Sequence, residues 1–143
     1  MKMSKRIIIV DDEADINTAL REIFESNGFT VDSFDNPRDA LENFKPHFYD
    51  LLILDIKMPE MNGFSFYREI KKLDEKMKVC ILTAAEINYG EYSNILSSLP
   101  DNCIIQKPVA NEDLLKIINE VMNVIINNIT KNIIPKMSLY IVM

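Results

Sequence analysis

Five short apolar runs, each followed by a segment of helical periodicity, limit the folds open to this chain. The runs cover residues 6–10, 30–34, 51–54, 79–82 and 103–106. Most of them are rich in β-branched and aliphatic residues, as is typical of strands buried on both faces. Connections of about ten residues or more between such strands favour parallel pairing, with helices on both sides of the sheet. The sequence therefore predicts an α/β fold, a (βα)5 doubly wound parallel sheet.

The helical segments carry capping residues and apolar faces. A first helix is predicted over about 14–26, and Asn36 followed by proline is typical of the start of a second. The third is predicted after Gly63 and carries the apolar residues Phe66, Ile70 and Leu73. Segment 86–99 has weaker helical character because asparagine, glycine and proline interrupt it. Asn111 is predicted to cap a strongly periodic last helix.

Length and charge exclude several classes of function. The 143 residues suggest one domain, expected at 1–127, with a C-terminal extension at 128–143. The formal net charge of −6 argues against a nucleic-acid partner, since phosphate binding needs a basic surface. No stretch approaches the ~20 apolar residues of a membrane span, and the first apolar run is too short for a signal peptide. We therefore expect a cytoplasmic protein without a membrane partner.

Polar residues stand at the carboxyl ends of four predicted strands. Asp11 and Asp12 follow the first strand, Asp55 the third and Thr83 the fourth, while Lys107 comes just after the fifth. If the strand order is 2-1-3-4-5, as in flavodoxin-like folds, strands one and three are neighbours and three carboxylates meet where the order reverses. Each residue alone is commonly a helix cap, a turn former or a solvated charge. The joint pattern predicts a functional site.

Three carboxylates in one cleft require a compensating positive charge. A like-charge pair at about 4 Å costs about 4 kcal/mol at an effective dielectric of about 20. Lys107 offers one charge, and hard oxygen ligands without a nearby histidine or cysteine favour Mg²⁺ over zinc, with Mn²⁺ as an alternative. A carboxylate can also act as a nucleophile and form an aspartyl phosphate. A metal ion and Lys107 would neutralise the phosphoryl oxygens, and Thr83 would donate a hydrogen bond to one of them.

Five segments together resemble the receiver domain of two-component response regulators, over about residues 5–127. They are IIVDDE at 8–13, LDIKMP at 54–59, MNG at 61–63, LTA at 82–84 and KP at 107–108. The set is specific, although each segment alone is not. The resemblance implies a phosphorelay switch rather than a conventional enzyme, phosphorylated by a sensor histidine kinase or a small phosphodonor. It further implies self-catalysed hydrolysis of the acyl phosphate and an unknown downstream protein.

The resemblance also implies a role for each site residue. Asp55 would be the phosphoacceptor, and Thr83 and Lys107 would contact the phosphoryl group. The Mg²⁺ ligands would be Asp12, Asp55 and the backbone carbonyl of Lys57, with Asp11 assisting. The bond between Lys107 and Pro108 is often cis in this family. One residue departs from the pattern: Ile104 stands where the family often has tyrosine or phenylalanine, which is coupled to the threonine in signal output.

Two other functions are open on the sequence. A phosphatase or phosphomutase with an aspartyl intermediate generally carries a second aspartate two residues after the nucleophile, and Lys57 occupies that position here. A receiver-fold binding module that no longer switches is the other alternative, and Ile104 favours it. The extension at 128–143 is either packed on the domain or an interaction segment, and the apolar residues near it are compatible with a homodimer.

Overall fold

The computed structural model describes residues 5–84 and 104–122, and five parallel strands in this part of the chain form one sheet. The strands are β1 (Arg6–Val10), β2 (Thr30–Phe34), β3 (Leu51–Leu54), β4 (Val79–Thr83) and β5 (Ile104–Gln106). Their order is β2-β1-β3-β4-β5. The predicted strand order and the predicted doubly wound, flavodoxin-like α/β class are therefore confirmed. Cys103, predicted to begin the fifth strand, lies outside the described residues.

Four helices are described: α1 (Ala14–Glu25), α2 (Pro37–Asn43), α3 (Gly63–Leu73) and α4 (Asn111–Met122). Asn36 caps α2 as predicted, because its side chain accepts the backbone N–H groups of Arg38 and Asp39. Asn111 is instead the first residue of α4, since the N–H of Leu114 already donates to the carbonyl of Ala110 at 2.9 Å. The predicted segments 86–99 and 128–143 lie outside the described residues.

Apolar side chains cover both faces of the sheet, which explains why β1, β3 and β4 are almost wholly apolar. Alternate strand residues point to opposite faces. Ile8, Val10, Leu52 and Leu54 join one core cluster, which also contains residues of α2 and α3. Ile7, Ile9, Leu51 and Ile53 join the other cluster, with residues of α1 and α4. With both faces packed, the polar residues that follow the strands collect at the edge where the carboxyl ends lie.

Strand pairing aligns these carboxyl ends. Val10 is paired with Leu54 across β1 and β3, and Thr83 with Gln106 across β4 and β5. The residue after each paired end therefore emerges at a similar height along the sheet. None of the four described helices is long and apolar enough to span a bilayer.

One residue of α3 differs from the simple periodic pattern. Phe66 and Ile70 are fully buried, whereas Leu73 is 46% exposed. Leu73 is the last helical residue, and the buried position at this end belongs to Asp74, whose carboxylate accepts the N–H of His47 at 2.9 Å. The chain therefore turns back towards the sheet just after Leu73, and the Leu73 side chain stays at the edge of the core, exposed to solvent.

Truncation of these two α3 residues should have very different effects. Ile70→Ala should lower the free energy of unfolding by about 2–5 kcal/mol, because it deletes fully buried methyl groups. Leu73→Ala should lower it by less than about 1 kcal/mol. Urea unfolding of both variants measures the difference, and equal losses would contradict the burial described for α3.

Candidate functional site

The carboxyl ends of β1 and β3 bring three aspartates to one point. The backbone N–H of Asp55 donates to the carbonyl of Val10 at 3.0 Å, which holds the two strand ends together. One carboxylate oxygen from each of Asp11, Asp12 and Asp55 lies within 4.8 Å of the other two. Asp11 and Asp55 are buried, and Asp12 is partly exposed. The structure thus brings together the three acids that the sequence predicted to converge.

Lys107 supplies the positive charge at this edge. Its Nζ lies 2.8 Å from Asp11 Oδ2 and 3.8 Å from Asp55 Oδ2, and its side chain is only 14% exposed. The backbone N–H of Lys107 donates to the carbonyl of Thr83 at 2.8 Å, and the peptide bond from Lys107 to Pro108 is cis. Burial works against the charged ammonium, but the hydrogen bond and charge of Asp11, with the charges of Asp55 and Glu13, raise the pKa of Lys107. Lys107 therefore stays protonated.

Asp55 is in an environment that opposes its own ionisation. Burial raises the pKa of the Asp55 carboxyl, and the negative charge of Asp11 raises it further. The hydrogen bond from the Thr83 hydroxyl, the charge of Lys107 and the N–H of Lys57 oppose this rise without cancelling it. In the metal-free protein, the ionised Asp55 carboxylate is therefore less stable than an exposed carboxylate would be, and a further cation would stabilise it.

Asp11 and Asp12 differ in how their carboxylates are held. Asp11 Oδ1 accepts the backbone N–H of Glu13 at 3.0 Å, and its other oxygen faces Lys107. Glu13 occupies the N-cap of α1 without a side-chain cap hydrogen bond, so neither aspartate serves as that cap. Among residues 5–84 and 104–122, no hydrogen bond to the Asp12 carboxylate is formed. Asp12 therefore presents its oxygens to the open side of the site.

A cleft of about 520 Å³ opens beside these residues. Its lining consists of Asp12, Glu13, Asp55, Lys57, Met58, Pro59, Thr83 and Ala84. The volume is in the range of small-ligand pockets. Asp55 lines this cleft together with Lys57 and Thr83, although only 6% of its surface is exposed.

The three carboxylates form a donor set of hard oxygen ligands. The metal-ligand cluster in the described part of the chain contains no histidine or cysteine. Oxygen-only sets of this kind suit Mg²⁺ or Mn²⁺ rather than zinc. The residues present therefore fit the cation that the sequence predicted.

Gly63 supports the segment after Asp55, a role that the sequence analysis did not assign. Its backbone N–H donates to the carbonyl of Ile56 at 2.7 Å. A Cβ atom built on Gly63 would lie 2.7 Å from Ile56 Cα and would also collide with the carbonyl oxygen of Asp55. Asn62 caps α3 by accepting the N–H of Ser65 at 2.9 Å. The Asn-Gly pair was the available signal, but only the folded backbone shows what Gly63 contacts.

Comparison with known proteins then decides the family. A family described as "Response regulator receiver domain" matches residues 7–119. This chain belongs to that family. The resemblance inferred from the sequence is confirmed, and the chain is a receiver domain of the kind that acts in two-component phosphorelay signalling.

Several relatives match this receiver domain over two thirds of its length or more. It is 33% identical to chemotaxis protein CheY of Bacillus subtilis over 124 residues, covering 85% of this chain and 100% of CheY. It is 35% identical to sporulation initiation phosphotransferase F of the same organism over 96 residues, covering 67% and 74% of the two chains. The crystal structure of the response regulator TrrA from Thermotoga maritima, in complex with Mg(2+)-BeF, is 31% identical with a TM-score of 0.66, covering 82% and 98%.

Replacement of Gly63 should disturb the receiver site through the backbone. Gly63→Ala should destabilise the protein and shift the backbone amide resonances of Asp55 and Ile56, because the added methyl group meets main-chain atoms that cannot rotate away. Ser65→Ala, two residues further along α3, is the matched control and should leave those resonances unchanged. Thermal unfolding and backbone NMR spectra measure both effects, and an undisturbed Gly63→Ala spectrum would contradict the packing described.

Asp55→Asn should stabilise the metal-free receiver domain near neutral pH. Because the folded-state pKa of Asp55 is raised, its contribution to stability is present below the unfolded pKa and is lost as the pH rises above about 4. The asparagine variant avoids that loss, so its melting temperature in EDTA should be a few degrees higher at pH 7. The difference should vanish as the pH falls towards 4.

Glu75→Gln removes one negative charge from an exposed turn and should show no comparable gain. A melting temperature for Asp55→Asn that is lower than the wild-type value, or a difference independent of pH, would contradict the electrostatic account of Asp55.

Proposed function

We propose that this receiver domain is a phosphorelay switch in which Asp55 accepts a phosphoryl group in the presence of Mg²⁺. The observation that carries the proposal is the position of the Asp55 carboxylate. It is buried beside Asp11 and Asp12, hydrogen-bonded to Thr83, and 3.8 Å from the Lys107 ammonium. Asp55 also lines the cleft, which gives a phosphodonor access to it.

Asp11, Asp12, Asp55 and the backbone carbonyl of Lys57 would hold the Mg²⁺, and Mn²⁺ would suit the same ligands. When bound, the ion would supply positive charge next to the phosphoryl oxygens. The oxygen-only donor set supports this assignment. The related protein TrrA was crystallised in complex with Mg(2+)-BeF, which supports the same cation for this chain.

The residues of this chain would carry out the transfer by position and charge. A carboxylate oxygen of Asp55 attacks phosphorus, and the bond from phosphorus to the donor nitrogen or oxygen breaks as the new P–O bond forms. Lys107 would neutralise a phosphoryl oxygen, and the Thr83 hydroxyl would donate a hydrogen bond to another. Hydrolysis returns Asp55 to its carboxylate when water in the cleft attacks the acyl phosphate. The chain thus acts as a self-modifying phosphoacceptor rather than as an enzyme with a separate substrate.

We propose a sensor histidine kinase as phosphodonor, with small phosphodonors as substitutes, and a downstream protein as the reader of the phosphorylated state. The acidic net charge of −6 argues against direct nucleic-acid binding. We further propose that the domain extends to residue 127, beyond the family match that ends at 119, and that 128–143 serves as an interaction segment, for a partner or for a homodimer.

Ile104 favours a second candidate function, a receiver-fold binding module that does not switch. It is half-buried and packs against the core cluster that contains Ile8 and Val10. An aliphatic side chain in this position lacks the polar end of tyrosine and the flat ring of phenylalanine. Phosphorylation without a change in the surface near β5 would support this second function.

The direct test is phosphorylation of the purified chain. Incubation with Mg²⁺ and acetyl phosphate should add one phosphoryl group to the wild-type protein, detected by intact-mass spectrometry. Asp55→Asn should show no addition because the nucleophilic oxygen is gone. Lys107→Met should slow the addition at least tenfold, because it removes the charge that faces the transferring oxygens.

EDTA should suppress phosphorylation in every variant, and Glu75→Gln should react like the wild type. A wild-type chain that stays unmodified, or an Asp55→Asn variant that is modified as fast as the wild type, would contradict the proposed function.

A further inference from the structure

Asn17 is a buried polar residue on the core side of α1. Only 6% of its surface is exposed, whereas Asp15 and Thr18 on the same helix are exposed. An amide in such a position needs hydrogen-bond partners, since a buried polar group without them destabilises the fold. Its partners therefore show what the residue does.

The Asn17 amide nitrogen bridges two strand ends. Nδ2 donates to the carbonyl oxygen of Asp11 at 2.7 Å and to that of Phe34 at 3.2 Å. The carbonyl of Phe34 also accepts the backbone N–H of Asp11 at 3.1 Å. Asn17 thus ties the first residue after β1 to the last residue of β2, and it acts on the main chain of Asp11 rather than on its side chain.

The oxygen of the Asn17 amide lowers the stability of this arrangement. Asn17 Oδ1 is buried without a hydrogen-bond partner among residues 5–84 and 104–122. The amide cannot be turned around to satisfy it, because its oxygen would then face two carbonyl oxygens, which are acceptors only. A leucine of similar size would remove the unpaired acceptor. The cost of the unpaired acceptor therefore offsets part of what the two donated hydrogen bonds contribute to stability.

The fixed backbone at Asp11 determines where the site charges lie. Asp11 Oδ1 accepts the N–H of Glu13, and Asp11 Oδ2 contacts Lys107 at 2.8 Å. Lys107 in turn lies 3.8 Å from Asp55. A shift of the Asp11 main chain would move this carboxylate, and with it Asp12 and the ammonium between Asp11 and Asp55.

We infer that Asn17 is a positioning residue for the metal and phosphoryl site, holding Asp11 and Asp12 at the separation that a divalent cation requires. The inference rests on the proposed function, because it assigns Asn17 to the same site. Removal of a group that hydrogen-bonds to a metal ligand and orients it typically lowers the metal affinity about 10–100-fold.

Two substitutions in the full 143-residue chain test the inference. Asn17→Leu removes both the donor and the unpaired acceptor, and Asn17→Asp keeps the shape but replaces the donor by an oxygen. Both should weaken Mg²⁺ binding, measured by calorimetry, about tenfold. Asn17→Leu should do so with little change in melting temperature, and it keeps the test valid if Asn17→Asp folds poorly.

Leu20→Ala is the matched control, since Leu20 is equally buried at 6% and lies less than one helical turn away on α1. It should lower the melting temperature by several degrees and leave the Mg²⁺ affinity unchanged. A purely structural role for Asn17 would produce the same result as Leu20→Ala, with stability lost and affinity retained.

A measurement on the metal-free protein separates this inference from the proposed function. The backbone N–H of Glu13 donates to the Asp11 carboxylate, so its hydrogen exchange should be several-fold faster in both Asn17 variants and unchanged in Leu20→Ala, relative to amides in the middle of α1. Wild-type Mg²⁺ affinity and wild-type Glu13 exchange in Asn17→Leu would overturn the inference and leave the proposed function intact. Absence of Mg²⁺ binding by the wild-type chain would overturn both.

Discussion

Repulsion among three carboxylates at one sheet edge is the constraint around which this receiver domain is organised. Asp11 and Asp55 are both buried, and a like-charge pair at about 4 Å costs about 4 kcal/mol at an effective dielectric of about 20. Lys107 offsets part of that cost through its contacts at 2.8 and 3.8 Å. The raised pKa of Asp55 indicates that the offset is incomplete. In the metal-free site, the negative charge of the carboxylates is therefore only partly balanced by Lys107.

The apolar core provides the stability that offsets the repulsion within this cluster. β1, β3 and β4 bury apolar side chains on both faces, so packing against the helices on either side holds the central strands in place. The order β2-β1-β3-β4-β5 then places the ends of β1 and β3 side by side, with Thr83 and Lys107 approaching from β4 and β5. Asp11 and Lys107 are separated by 96 positions in sequence. They come into contact because the strands that precede them end at the same edge of one sheet.

The parts of this arrangement that depend on short-range patterns could be predicted from the sequence. Continuous apolar runs marked the strands, an asparagine before a proline marked the start of α2, and acids at strand ends marked the site. Leu73 was harder to place, because periodicity does not show where a helix leaves the sheet. Gly63 and Asn17 had no recognisable role, since one depends on a close approach of two backbones and the other on carbonyl groups that only the folded chain brings together.

The close packing of Gly63 against the main chain of Asp55 and Ile56 makes the two sides of the site unequal in rigidity. On the α3 side, main chain lies directly on main chain, with no side chain between them to deform. On the β4 and β5 side, the Asp55 carboxylate is hydrogen-bonded to Thr83 and lies 3.8 Å from the Lys107 ammonium. The main chain at Asp55 is thus confined by backbone atoms on the α3 side, whereas its carboxylate contacts side chains on the other side. The α3 side therefore resists displacement of the main chain at Asp55 and Ile56.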